Sequence, residues 1–392
     1  MVSIKAKRVS NYELFFDLAF VIAMGQLNGN LYHVQHLTAS SVISFIFTNI
    51  ILLSIWINEV YFFNQYGDAR RIDIYTIIPL MYFIGNLSLY FDFEVETITA
   101  NQVTIFNALL FGIYAVIALQ YTLKGRLLGF DKEIKRSIAN NLIYALSVLP
   151  FVFQFLPANP ITMSFIYLIP IILPFFNQPQ SGKLRTNFPH LVERAQLLTI
   201  LTFGEAAIAI VNHYPMMQVP ITGILFFLGM SLAFMVYMSQ TYLNLEHHQN
   251  ASGGFLLYAH IIIIIGVNFF TIGMEFLADT QHRAHGLTFL LSAIILYYLG
   301  VGLTNYYNKP LYRLKKETIL YSTLTIVICC SLMVVFRSHL PLISLFLVIL
   351  NYWMSRIILL ARKKARERNN IPHPNPRQKF LKEMRHHHNE KN

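Results

Sequence analysis

Apolar runs of about twenty residues recur from Tyr12 to Leu360, and that repetition leaves few folds open to the chain. A helix needs about 20 apolar residues to cross the roughly 30 Å hydrocarbon core of a bilayer. Only 12% of the 392 residues are charged, 55% are hydrophobic, and the mean hydropathy is +0.49. Soluble domains carry about 25% charged residues. A soluble globular fold is therefore excluded, and the chain reads as an all-α polytopic membrane protein. Its runs predict about twelve transmembrane helices, near 12–32, 41–63, 72–91, 101–123, 138–156, 161–177, 191–212, 219–244, 255–277, 286–306, 318–336 and 340–361. Pro150, Pro157, Pro160, Pro170 and Pro174 interrupt the fifth and sixth of these.

The basic residues orient the spans. Assigning loops to alternate sides puts all but Arg283 and Arg337 of the 30 Lys and Arg on the side of the N-terminus. Cytoplasmic loops are enriched in these residues, so both termini are expected in the cytoplasm. A miscounted span would scramble that bias, which therefore also favours twelve helices. The net charge of +11 is accounted for by topology and a basic tail, and nucleic acid is not an expected partner. The first apolar stretch carries two acids with no small-residue cleavage site behind it, so it reads as a span and not as a cleaved signal. Cys329 and Cys330 are adjacent, which suits apolar filling and rules out a disulfide framework.

The polar, Pro- and Gly-containing stretch around 178–189 reads as a cytoplasmic linker between two six-helix halves, 1–177 and 190–361. Glu13 opens the first predicted helix as Glu193 opens the seventh, and Asp92 closes the third as Glu275 closes the ninth. Six helices per half means both halves enter the bilayer from one side, so the pseudo-repeat would be parallel. Residues 362–392 form a basic tail expected to be disordered and drawn to anionic lipid headgroups. His386, His387 and His388 have no second ligand set, so neither a metal nor a cofactor is expected.

Ionisable residues inside these spans are the candidate chemistry. A carboxylate at the centre of a span costs about 2.5–3.5 kcal/mol on insertion scales, so it faces the bundle or water. Glu13 and Asp17 lie at i, i+4 and share a helix face, which Asn28 continues. Glu13 suits a helix N-terminus, where its charge complements the dipole. Asp17, one turn deeper, has no such explanation. In the seventh predicted helix Pro189 suits the start, and His190, Arg194 and Glu205 share a face. Glu205 falls roughly 18 Å into that span, counted from Glu193, and either keeps its proton or finds a cation. Gly204 beside it would admit a neighbouring helix. Glu193 at the cytoplasmic mouth reads equally as a cap and as a functional group. The ninth helix adds His260, Asn268 and Glu275, and other spans add Trp56, Asn58, Glu59, Asn86 and Asn107. Singly these are ordinary interhelical hydrogen bonds; together they describe a polar bundle interior. No zinc-binding His-Glu-x-x-His pair, nucleophile elbow or P-loop occurs, and no enzyme activity is expected.

The segment Glu13-Leu-Phe-Phe-Asp-Leu-Ala-Phe-Val21 resembles the opening signature of the bacterial low temperature requirement A family. The resemblance continues through Trp56 with Asn64-Gln-Tyr-Gly-Asp68, His190-Leu-Val-Glu-Arg194 with Gly204-Glu205, and His260 with Gly273-Met-Glu275. The chain departs from the family at Gln65-Tyr66-Gly67 and at Ala206, where a Ser hydroxyl usually stands beside the acid. The resemblance implies a multi-pass protein of the bacterial inner membrane linked by name to growth in the cold. It implies no substrate.

The residues point first to a secondary transporter, with proton coupling and a small-molecule substrate bound between the halves. Glu205 and Asp17 would carry the proton or cation, with Arg194 as their partner or gate and Glu13, Glu193, His190, His260 and Glu275 along the path. The alternative is a membrane scaffold or cold-adaptation factor that transports nothing. An intramembrane enzyme is least favoured, because no nucleophile and base are paired.

Overall fold

A computed structural model describes residues 7–68, 71–94, 98–157, 160–176, 186–218, 220–280 and 282–372. Among them the regular structure is helical, with no strand beyond one isolated bridge between Leu245 and Asn308. The helices are α1 (Asn11–Tyr32), α2 (Ala39–Tyr66), α3 (Arg71–Ser88), α4 (Ala100–Leu128), α5 (Lys132–Val152), α6 (Pro160–Tyr167) and α7 (Ile169–Phe176). They continue as α8 (Phe188–His213), α9 (Pro220–Met238), α10 (Gly254–Ala278), α11 (Arg283–Thr304), α12 (Lys316–Val335) and α13 (Leu340–Arg368). A π-helical turn, Ser239–Asn244, prolongs α9.

Each predicted segment is helical, and the starts are written locally. Ser10 and Glu13 form a capping box on α1, as Thr99 and Gln102 do on α4, and Asn187 caps α8 with Pro189 in its first turn. The sixth segment is broken between α6 and α7 at Leu168. Pro170 has no N–H to give the carbonyl of Ile166, so the ladder fails there. Among the described residues, nine helices are long and apolar enough to cross a membrane. Absent from that set are α3, which holds 18 residues, α5, and the eight-residue α6 and α7. The chain is thus all-helical and of the multi-pass membrane kind. The linker residues 178–185 and the tail residues 373–392, including His386–His388, lie outside the described residues; α13 itself continues to Arg368.

The polarity of α1 is inverted relative to a water-soluble helix. Leu14, Phe15, Leu18 and Ile22 are exposed on one face, while Glu13, Asp17 and Asn28 are buried on another. That is the arrangement lipid demands. At the centre stands α10, the most buried of the spanning candidates. It packs closely on α11 because glycines remove the side chains between them: a Cβ on Gly266 would stand 2.7 Å from the Tyr297 nitrogen, and one on Gly286 2.5 Å from that of Leu277.

Candidate functional site

The parallel helices α1 and α8 meet along a seam that holds the principal ionisable groups. The guanidinium of Arg194 spans the two acids of α1: Nη1 donates to Glu13 Oε2 and Nη2 to Asp17 Oδ1, each at 2.6 Å. All three side chains are buried. The planar fork of arginine suits this task, and the one-turn spacing of the acids sets the two oxygens before it. The indole N–H of Trp56, on α2, donates to the same Asp17 oxygen at 2.8 Å. Glu13 also accepts from the Ser10 backbone and hydroxyl through Oε1, so it is both a helix cap and a member of the ion cluster.

His190 completes this cluster, with Nε2 3.0 Å from Glu13 Oε2. Its tautomer follows from its other neighbour. Asn64 accepts the Asn187 N–H and donates to the Asn187 carbonyl, which fixes its amide, and its remaining N–H faces His190 Nδ1 at 3.1 Å. The ring nitrogen Nδ1 is therefore an acceptor, and the proton of a neutral His190 resides on Nε2, toward Glu13.

A second polar point lies on the same seam. Asn28 donates to Glu205 Oε1 at 2.8 Å. Asp17–Arg194 and Asn28–Glu205 are both separated by 177 positions, so α1 and α8 run parallel with constant register over three turns. Phe16, Phe20, Met24 and Leu27 of α1 are buried between and beside the two points, about 16 Å apart along the axis. Glu205 stands past the middle of α8. Gly25 makes room for its carboxyl, since a Cβ there would lie 3.4 Å from Glu205 Oε1. Glu275, on α10, is within electrostatic reach of Glu205, and one oxygen of each carboxyl is buried without a hydrogen-bond partner among the described residues.

The remaining sequence candidates divide. Arg194, Glu13, Asp17 and His190 come together as one cluster, while Glu205 and Glu275 form a second group that does not touch it. His260 sits apart: its Nδ1 donates to the Leu256 carbonyl at 2.8 Å, so Nε2 accepts from the Tyr237 hydroxyl at 3.0 Å. Glu193 is exposed and faces away from the cluster.

Sequence reasoning noted Glu59 without assigning it a role, and the structure gives it prominence. This α2 carboxyl is 0% exposed, has no cation against it among the described residues, and meets only the Gln120 amide at 3.5 Å. Its electrostatic neighbours include Arg194 and Asp73. Beyond it, Gln120 donates to Thr76, and Lys124 reaches Asp68 at 2.7 Å and Asp73 at 2.8 Å. Lys7 covers this end by donating to the carbonyls of Phe63 and Gly67, and burial pushes its ammonium down from the usual lysine range while Glu13 and Asp73 oppose that shift. A file of ionisable groups thus runs from the mouth at Lys124 inward to Arg194. The signal available in sequence was Trp56 and Glu59 at i, i+3 on α2, one donating to Asp17 and the other buried against Gln120. No group of three or more His, Cys, Asp or Glu residues placed to hold a metal occurs among the described residues.

The bundle and its buried ion cluster define a multi-pass, helical membrane protein with charged groups organised between helices. Over residues 8–360 the chain matches the family described as bacterial low temperature requirement A protein, and it belongs to that family. No curated protein matches the chain.

Proposed function

We propose that the chain is a proton-coupled secondary transporter for a small molecule, built as two six-helix halves of twelve spans in the bacterial inner membrane. The observation that carries this reading is the α1–α8 seam. Its two helices open the two halves, run parallel, and hold Arg194 against two acids at one end and Glu205 against a single amide at the other. Parallel α1 and α8 require an odd number of crossings between them. The five segments α2, α3, α4, α5 and α6–α7 supply one. Packing recurs in the same order as well: α1 on α2 and α3, α3 on α4 and α2 on α6–α7, beside α8 on α9 and α10, α10 on α11 and α9 on α13. An axis along the membrane normal relates such halves, with substrate bound between them.

In this reading Glu205 exchanges the proton, since its carboxyl lies in the bundle with Asn28 as its one hydrogen-bond partner among the described residues. Asp17 and Arg194 form the opposing gate, with Glu13 and His190 holding the arginine. Both termini face the cytoplasm, where the tail lies against anionic headgroups. No enzyme activity or nucleic-acid partner belongs to this role.

The test is proton flux in proteoliposomes under an imposed pH gradient, with a mixture of small bacterial metabolites supplied as substrates, read with an internal pH dye. Wild type is expected to dissipate the gradient, and Glu205→Gln and Asp17→Asn to abolish that flux while purifying as folded monodisperse protein. Gradient dissipation by Glu205→Gln equal to wild type refutes the assignment.

A further inference from the structure

The second half contains a cleft that the transport reading does not use. It measures about 470 Å³ and opens between the π-turn after α9, the end of α11, the start of α12 and the end of α13. The cause lies in α12. This helix buries only Cys329 and Met333, both in its later half, so its first turns stand away from α11. Gly302 of α11 faces the gap, and a Cβ there would meet nothing within 4 Å.

The cleft is divided by chemistry along its length. At one level Arg313, Lys315, Arg362 and Lys364 line it, and Glu317 is the single acid among its described lining residues. Arg362 is held in place by donating to Ser239 Oγ at 3.1 Å. Deeper, Ile295, Leu299, Ile326 and Met354 make the walls. Arg362 and Met354 are two turns apart on α13, and Lys315 and Ile326 three turns apart across α12, so the apolar part begins about 12–16 Å from the basic rim. Positive charge at the membrane surface above an apolar slot matches a phospholipid: an anionic headgroup at the rim and an acyl chain along the walls. The basic tail of the chain carries the wrong sign to occupy it.

We infer that this cleft binds one anionic phospholipid as a structural ligand, a site separate from the diffuse attraction of the tail to the membrane surface. It requires only that the protein reside in a bilayer and does not depend on transport.

Native mass spectrometry of the full-length protein in detergent, titrated with dioleoylphosphatidylglycerol or dioleoylphosphatidylcholine, reads the stoichiometry directly. Wild type is expected to saturate with one phosphatidylglycerol bound at least tenfold more tightly than phosphatidylcholine. Arg362→Gln with Lys364→Gln is expected to lose about tenfold for phosphatidylglycerol and nothing for phosphatidylcholine. Gly302→Leu fills the slot and is expected to abolish binding of both lipids, while its unfolding temperature in lipid-free detergent stays at the wild-type value. Equal affinity for the two lipids overturns the inference. So does phosphatidylglycerol binding that survives both variants, or glycerol 3-phosphate binding as tightly as the lipid.

Discussion

Arg194 is the residue on which the seam depends. Its removal leaves Glu13 and Asp17, neighbours on one face of α1, buried without the cation that pairs them, and breaking a buried pair in this way costs about 3–5 kcal/mol. Arg194→Gln is therefore expected to lower the unfolding midpoint in detergent sharply. Arg194→Lys recovers only part of the loss, because an ammonium cannot address two carboxylates as a fork; an Arg194→Lys midpoint equal to wild type would contradict the bidentate role. Much of this arrangement was legible in sequence. The i, i+4 acids, the shared face of His190 and Arg194, and Asn28 continuing the Asp17 face are properties of one helix at a time. What periodicity could not carry was partnership. It put Arg194 and Glu205 on one stripe and offered Arg194 as partner to both Asp17 and Glu205, whereas Arg194 turns to Glu13 and Asp17 and Glu205 meets Asn28 instead. Glu59 escaped for the same reason, since its neighbours come from α4 and α8.

At the scale of elements, α10 and α11 are joined by the glycines that let their backbones approach. Gly266→Ala would place a methyl group 2.7 Å from the Tyr297 nitrogen, which is backbone and has little freedom to move. The expected cost is about 1–3 kcal/mol, seen as a lower thermal midpoint, whereas Gly204→Ala, with nothing within 4 Å of its Cβ, should be close to neutral. The contrast was hidden in sequence, where Gly204 drew attention as a close-approach position and Gly266 did not. A glycine records that space is available, and only its neighbour shows whether the space is used. The break between α6 and α7 was more readable, because proline removes a hydrogen bond wherever it sits.

For the whole molecule, the alternation of helices assigns every loop to a face. In a background with Cys329 and Cys330 replaced by Ala, single cysteines at Met217 and His339 are expected to react with an impermeant maleimide from one side of the membrane. Cysteines at Arg313 and Asn369 are expected to react only from the other. All four positions are exposed, Met217 at 98%, so reactivity reports sidedness. Labelling of Met217 and Asn369 from the same side would break the twelve-span scheme. Hydropathy alone supplied the runs, but three of the helices in the scheme are too short or too polar to be recognised as spans by length and composition. That α1 and α8 run parallel follows from six helices per half, but that they pack on each other is information that only the packed chain contains.

The two ends of that pairing are unequally fastened. One carries three charges joined by two 2.6 Å bonds, with Trp56 and His190 bracing them; the other carries a single amide on a carboxyl. Two stiff rods tied in this way do not part evenly when pulled. They are expected to splay from the weaker end, with the pivot at Arg194 and the opening at Asn28, where Glu205 lies.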